Sequence, residues 1–119
     1  MAKIKVKNLL LRTYIGFNPE ELLNKQDVII NFEIDFDVSD TLLATDEPVN
    51  FLDYKEITKK IIALVQEGRF KLLEVLTNKI LNLLMEYEQV NYAKVEVDKP
   101  HALRYTESVS VELDRSRHR

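Results

Sequence analysis

From Val28 to Val38, every second residue of this chain is large and apolar, and most of the residues between them are polar. Alternation with period two over this length predicts a β-strand that turns one face toward a core. The apolar positions are Val28, Ile30, Phe32, Ile34, Phe36 and Val38. A sheet that contains this strand needs other elements to cover its apolar face.

The rest of the chain supplies those elements. Alternation predicts one earlier strand and two final strands, and helical spacing predicts two helices between them. In chain order these segments are 3–14, 53–68, 72–87, 93–98 and 108–113. Asp53 and Glu56 have the form of a capping box, and Gly68 can close the first helix. We expect a single α+β domain over residues 1–119, with ββααββ order and a four-stranded antiparallel sheet packed on two helices.

The second face of this sheet is polar and charged. If the first two strands form a hairpin, lysines on one strand meet acids on the other. The two sets are Lys3, Lys5 and Lys7, and Glu33, Asp35 and Asp37. A solvated outer face is the favoured interpretation, and the wet lumen of a wide barrel closed by several copies would need the same pattern.

Composition removes several classes of function. The chain has no cysteine, which excludes thiolate nucleophiles, disulfides and cysteine-ligated metals. Its two histidines, His101 and His118, cannot build a multi-histidine metal site within one chain. A net charge of −3 and a pI near 5.4 argue against nucleic acid and membrane surfaces as partners. With no membrane-spanning run and no signal-peptide core after Met1, we expect a cytoplasmic protein.

Four residues have types and positions that suit acid–base chemistry or ligand binding. Lys99 shares the apolar side of its strand, where the charged form is disfavoured and a lysine can act as a general base; a stem reaching out to water is the alternative. Glu74 begins the second helix and either complements the helix dipole or accepts paired N–H donors from a guanidine-like ring edge. Tyr54 could move a proton or merely pack, and Glu21 could be an ordinary loop acid.

Together these residues fall into motifs that resemble the dihydroneopterin aldolase and epimerase family. The motifs are Thr13-Tyr14-Ile15-Gly16 with Glu21 and Gln26, Leu52-Asp53-Tyr54, Phe70-Lys71-Leu72-Leu73-Glu74, and Val97-Asp98-Lys99-Pro100. Their order and spacing match over nearly the whole chain. The resemblance implies the tunnelling fold, or T-fold, in which subunits join sheet edges into tetrameric rings and two rings stack as a homo-octamer with active sites between subunits.

The resemblance also implies a pterin substrate and reversible cleavage of its C1′–C2′ bond. The dihydropterin C6=N5 imine accepts the electron pair, so neither a cofactor, a metal nor a lysine Schiff base is implied. Glu74 and backbone groups at Leu73 would bind the pterin. Lys99 would assist removal of the 2′-hydroxyl proton, Tyr54 would handle protons near C1′, and Glu21 would act on substrate held mainly by another chain.

Within the family, residues 11–16 and especially 98–105 are similar to the epimerases that act on dihydroneopterin triphosphate. His101 stands where aldolases commonly have a small residue. The candidate cations for a triphosphate are His101, Arg104, Arg12, Lys25, Arg69 and Lys71, of which His101 and Arg104 are favoured. Two alternatives stay open: an aldolase acting on unphosphorylated dihydroneopterin, and a non-catalytic ring that binds pterins or purines.

Overall fold

The computed structural model describes residues 1–118 and contains five strands and four helices. The strands are β1 (Ala2–Ile15), β2 (Gln26–Phe36), β3 (Arg69–Phe70), β4 (Val90–Pro100) and β5 (Ser108–Ser116). The helices are α1 (Pro19–Leu23), α2 (Asp40–Thr45), α3 (Tyr54–Gln66) and α4 (Leu73–Met85). No helix in residues 1–118 is long and apolar enough to cross a membrane.

The sheet has the order β3-β1-β2-β4-β5. Its four long strands are antiparallel, which confirms the predicted ββααββ arrangement. The structure adds β3, a two-residue strand parallel to the end of β1, so the predicted number of strands was one too low. The short helices α1 and α2 were not predicted either, because five or six residues are too few for a helical period to register.

The two long helices cover the apolar face of the sheet. Asp53 caps α3 by accepting hydrogen bonds from the backbone N–H groups of Lys55 and Glu56, at 2.9 and 3.2 Å. The alternating positions of β2 are buried from Val28 to Ile34, as its sequence predicts. They pack with Ile57, Ile61 and Val65 of α3 and with Leu76, Ile80 and Leu84 of α4.

The opposite face of the sheet is charged, as predicted. Lys3 lies 3.0 Å from Asp35 and 3.4 Å from Glu33, and Lys94 lies 3.0 Å from Glu33. Asp37 lies beyond the last paired residue of β2, so the predicted match of three lysines with three acids is only partial. Ion pairs of this kind at the protein surface each contribute about 1 kcal/mol or less to stability. Their main effect is to select the register in which the strands pair.

Candidate active site

The end of the sheet where β1 and β4 finish brings two of the candidate residues together. Lys99 lies near the end of β4, opposite Val109 of β5, and Glu21 lies in α1. The Lys99 ammonium contacts Oε2 of the Glu21 carboxylate. Only 16% of the Lys99 side chain and 19% of the Glu21 side chain are exposed, so this is a partly desolvated ion pair. The lysine therefore ends on a carboxylate, whereas the sequence suggested an apolar layer.

A capping box holds Glu21 in place. The Asn18 side chain accepts a hydrogen bond from the Glu21 backbone N–H at 2.9 Å, and Glu21 Oε1 accepts one from the Asn18 backbone N–H at 3.4 Å. Pro19 occupies the first turn, where its missing N–H costs nothing. The Asn-Pro-Glu-Glu sequence carries this signature, although the predicted elements did not include this helix.

Gln26 and Gly16 complete the setting of the carboxylate. Gln26 Nε2 donates to the Ile15 carbonyl at 2.7 Å and to Glu21 Oε2 at 3.1 Å, which ties the carboxylate to the end of β1. Gly16 has φ +113°, and a Cβ at this position would lie 2.2 Å from Glu21 Cδ. Only glycine leaves room for the carboxylate where it meets Lys99.

These contacts stabilise the ionised form of Glu21. The Lys99 donor, opposed by burial and reinforced by donors from Gln26 and Asn18, holds the pKa of the Glu21 carboxyl below its ordinary value of 4.5. Because the folded-state pKa lies below the unfolded value, the interaction stabilises the fold above pH 4.5. That contribution is lost as the pH falls through the folded-state pKa.

We expect the Glu21→Gln variant to have a lower free energy of unfolding than the wild type at pH 7. In acid the two free energies of unfolding should become similar. The glutamine keeps the shape of the side chain but removes the charge that Lys99 meets. Urea unfolding from pH 7 to pH 3 would measure the difference in free energy of unfolding, which should shrink below pH 4.5. A difference that stays constant over this range would contradict the ion-pair interpretation.

A polar cavity of about 340 Å³ lies beside the carboxylate. It is lined by Asn18, Glu20, Glu21, Asn24, Gln26, His101 and Ala102. His101 begins the turn between β4 and β5 with φ +65°, a left-handed conformation that is uncommon for residues other than glycine. Arg104 is exposed in the same turn. His101 and Glu21 thus line the same cavity. Arg104 follows three residues later in the same exposed turn.

Glu74 and Leu73 form the first turn of α4, at the same end of the molecule. A short connection joins α4 to β4, and the two elements run antiparallel, so the start of α4 lies near the end of β4. The Gly16 backbone N–H donates to the Phe70 carbonyl at 2.9 Å, which fixes the approach to α4 against the end of β1. Leu73 is buried, while Glu74 is exposed and forms no ion pair within residues 1–118.

Tyr54 lies at the opposite end of the molecule. It is the first residue of α3, whose other end meets β1 through a 2.6 Å hydrogen bond from the Thr13 hydroxyl to the Val65 carbonyl. The 13 residues of α3 span about 20 Å at 1.5 Å per residue. Tyr54 is 54% exposed and borders a different cavity, with Ile4 and Phe36. Tyr54 and Lys99 of one chain therefore do not meet.

Comparisons with known proteins show which family this chain is similar to. The family model described as FolB, dihydroneopterin aldolase, matches residues 4–114. The chain is 55% identical over 113 residues to a dihydroneopterin triphosphate 2′-epimerase of Pseudomonas aeruginosa, covering 95% of this chain and 91% of that one.

Solved structures agree with the fold. A putative dihydroneopterin aldolase from Vibrio cholerae superposes with a TM-score of 0.90 at 26% identity, over 98% of both chains. An Escherichia coli dihydroneopterin aldolase in complex with neopterin gives a TM-score of 0.89 at 22% identity, over 98% of this chain and 100% of that one. At this identity the second match speaks to the fold alone.

Proposed function

This chain belongs to the dihydroneopterin aldolase family, and from that membership we propose that it inverts C2′ of 7,8-dihydroneopterin triphosphate to give 7,8-dihydromonapterin triphosphate. The chemistry rests on one observation, the contact between Lys99 and Glu21 beside an open polar cavity. The choice of an epimerase over an aldolase rests on the 55% identity to the Pseudomonas epimerase, against 27% to a dihydroneopterin aldolase of Haemophilus influenzae.

The reaction is a retro-aldol cleavage followed by re-addition. Loss of the 2′-hydroxyl proton forms a C2′ aldehyde as the C1′–C2′ bond breaks. The bonding pair forms a C1′=C6 double bond, and the C6=N5 electrons move to N5, which takes up a proton. If the aldehyde turns over before the enol attacks its opposite face, C2′ is inverted. If the aldehyde leaves and C1′ is protonated instead, the product is 6-hydroxymethyl-7,8-dihydropterin.

Each proposed site residue has a role that its position supports. Lys99 assists removal of the 2′-hydroxyl proton: its ammonium passes one proton to the Glu21 carboxylate, which frees the Lys99 nitrogen to take the proton of the hydroxyl. The exposed Glu74 carboxylate accepts two N–H donors from the pterin edge, and the backbone at Leu73 assists. His101, and Arg104 beyond it, face the substrate side chain from the turn after β4.

The separation of Tyr54 from Lys99 supports an active site shared between subunits. Tyr54 begins α3, a helix about 20 Å long whose other end lies toward the Lys99 end of the sheet, so these two groups of one chain cannot serve the same substrate. The outer edge of β5 and most of the outer edge of β1 are unpaired within residues 1–118. Pairing of these edges between copies closes a ring. We propose the stacked homo-octamer of the family, in which Tyr54 of a neighbouring copy completes each site.

We expect incubation with dihydroneopterin triphosphate to yield the 2′-epimer. Dephosphorylation, oxidation and chiral chromatography separate monapterin from neopterin and give the ratio directly. If the protein makes only 6-hydroxymethyl-dihydropterin from unphosphorylated dihydroneopterin and no epimer, the aldolase is correct. Binding of pterin without turnover of either substrate would indicate the non-catalytic ring, which the joint presence of Lys99, Tyr54, Glu21 and Glu74 argues against.

A further inference from the structure

Two basic side chains lie against Tyr14 on the charged face of the sheet, and a third, Arg12, contacts the backbone of one of them. The Arg69 guanidinium lies 3.8 Å from the centroid of the Tyr14 ring, and Lys25 Nζ lies 5.7 Å from it. Arg12 donates to the Lys25 carbonyl and to Asp27, both at 2.9 Å. We call Arg12, Lys25 and Arg69 the basic cluster. All three side chains are exposed and accessible to a ligand.

The charges of the basic cluster are not balanced. Asp27 pairs with Arg12, but Lys25 and Arg69 form no ion pair within residues 1–118. Two cations close to one ring repel each other, and a bound anion nearby relieves that repulsion. Tyr14 and Arg69 are direct neighbours in the parallel β1–β3 pair, which places the Arg69 side chain beside the ring that its guanidinium contacts. A guanidinium held in this way presents its remaining N–H groups in a fixed fork that suits phosphate oxygens.

The basic cluster adjoins the Glu21–Lys99 pair through α1. Arg69 donates to the carbonyl of Leu22, the residue after Glu21, at 3.4 Å. Lys25 precedes Gln26, whose side chain donates to the Glu21 carboxylate. One short helix therefore carries the proposed acid–base group and accepts a hydrogen bond from the proposed anion-binding group.

We propose that the basic cluster binds the phosphate chain of a polyphosphate ester whose reacting carbons lie at the Glu21–Lys99 pair; that this ester is the epimerase substrate rests on the proposed function. The cavity beside His101 is less suited to a polyanion, because Glu20 and Glu21 both line it. That cavity fits the uncharged hydroxyl-bearing carbons better.

Such an anchor would decide the outcome of the reaction. After the C1′–C2′ bond breaks, the triphosphate belongs to the aldehyde fragment, while the pterin enol stays bound elsewhere. An aldehyde held by its phosphates stays long enough for its carbonyl to turn and be attacked on the other face. An aldehyde without that anchor leaves, and proton addition at C1′ gives the hydroxymethyl product.

The test compares the Arg69→Gln/Lys25→Gln double variant with the wild type and with Lys59→Gln, an exposed lysine on α3 that serves as the matched control. We expect KM for dihydroneopterin triphosphate to rise about tenfold or more, because charge-assisted hydrogen bonds are lost. KM for unphosphorylated dihydroneopterin should change less than about twofold. The fraction of triphosphate substrate converted to the hydroxymethyl product should rise, a change that a purely structural role would not produce.

Calorimetry with inorganic tripolyphosphate tests the anion site without any turnover. Binding should be present in the wild type and in Lys59→Gln and lost in the double variant.

Equal effects on both substrates, or unchanged tripolyphosphate binding, would overturn the proposal. Loss of tripolyphosphate binding with no change for the triphosphate substrate would overturn its assignment to that substrate. A selective loss in His101→Ala or Arg104→Ala alone would move the phosphate site to that turn. If the wild type makes no epimer, the proposed function fails, while calorimetry still decides the anion site.

Discussion

Replacement of Lys99 by alanine is expected to lower turnover by about 10²- to 10⁴-fold, the usual contribution of a positioned acid–base group. Pterin binding should stay close to that of the wild type, because the proposed pterin anchor, Glu74, lies on a different element. Single-turnover kinetics and fluorescence titration with a pterin would measure the two quantities separately. Unchanged turnover would remove Lys99 from the mechanism.

Two further variants make this result specific. Lys59→Ala removes an exposed lysine of α3 and should leave both turnover and binding unchanged. Glu74→Ala should show the reverse of Lys99→Ala, with pterin affinity lowered about tenfold or more by loss of a charge-assisted pair of hydrogen bonds. A Glu74 variant that binds pterin normally would contradict its role as the anchor.

Co-expression of Tyr54→Phe and Lys99→Ala chains should restore activity that neither variant shows alone. If each site takes Tyr54 from one copy and Lys99 from another, random mixing leaves about a quarter of the sites with both groups intact. Recovery toward that fraction would be measured as turnover per site in the purified mixed assembly.

Two observations would contradict the shared site. Activity that stays at the level of the single variants after verified mixing would mean that both groups act within one chain or that Tyr54 has no role. A stable monomer in native mass spectrometry would exclude any site built from two copies. As a control, an assembly in which every co-expressed chain carries Lys99→Ala should remain inactive.

The regular elements could be predicted because each repeats a pattern over many residues. β2 shows its alternation across 11 residues, and α3 shows its cap at Asp53 followed by buried Ile57, Ile61 and Val65. The same parity argument placed Lys99 in register with Val95 and Val97, and the structure confirms that β4 continues through it to Pro100. The short elements could not be predicted, because they contain too few residues to show a periodic pattern: β3 has two residues and α1 has five.

The candidate site was harder to predict, because its contacts join distant parts of the chain. Glu21 and Lys99 are 78 residues apart, and no local pattern encodes a pairing at that separation. The resemblance to a family named both as site residues but assigned Glu21 to substrate held mainly by another chain, whereas the structure joins it to Lys99 of the same chain. The stacking of Arg69 on Tyr14 depends on the parallel pairing of β3 with β1, so it could not be inferred until that strand was seen.

The double use of Glu21 links local folding to catalysis. The same carboxylate closes the capping box of α1 and meets Lys99, so the helix cannot unwind without dismantling the ion pair. This five-residue helix buries none of its own residues, which puts it among the parts of the fold that open most readily. Local opening of residues 18–23, without global unfolding, is therefore enough to separate Glu21 from Lys99 and inactivate the site. Substrate that binds only the closed form shifts the equilibrium away from that opening.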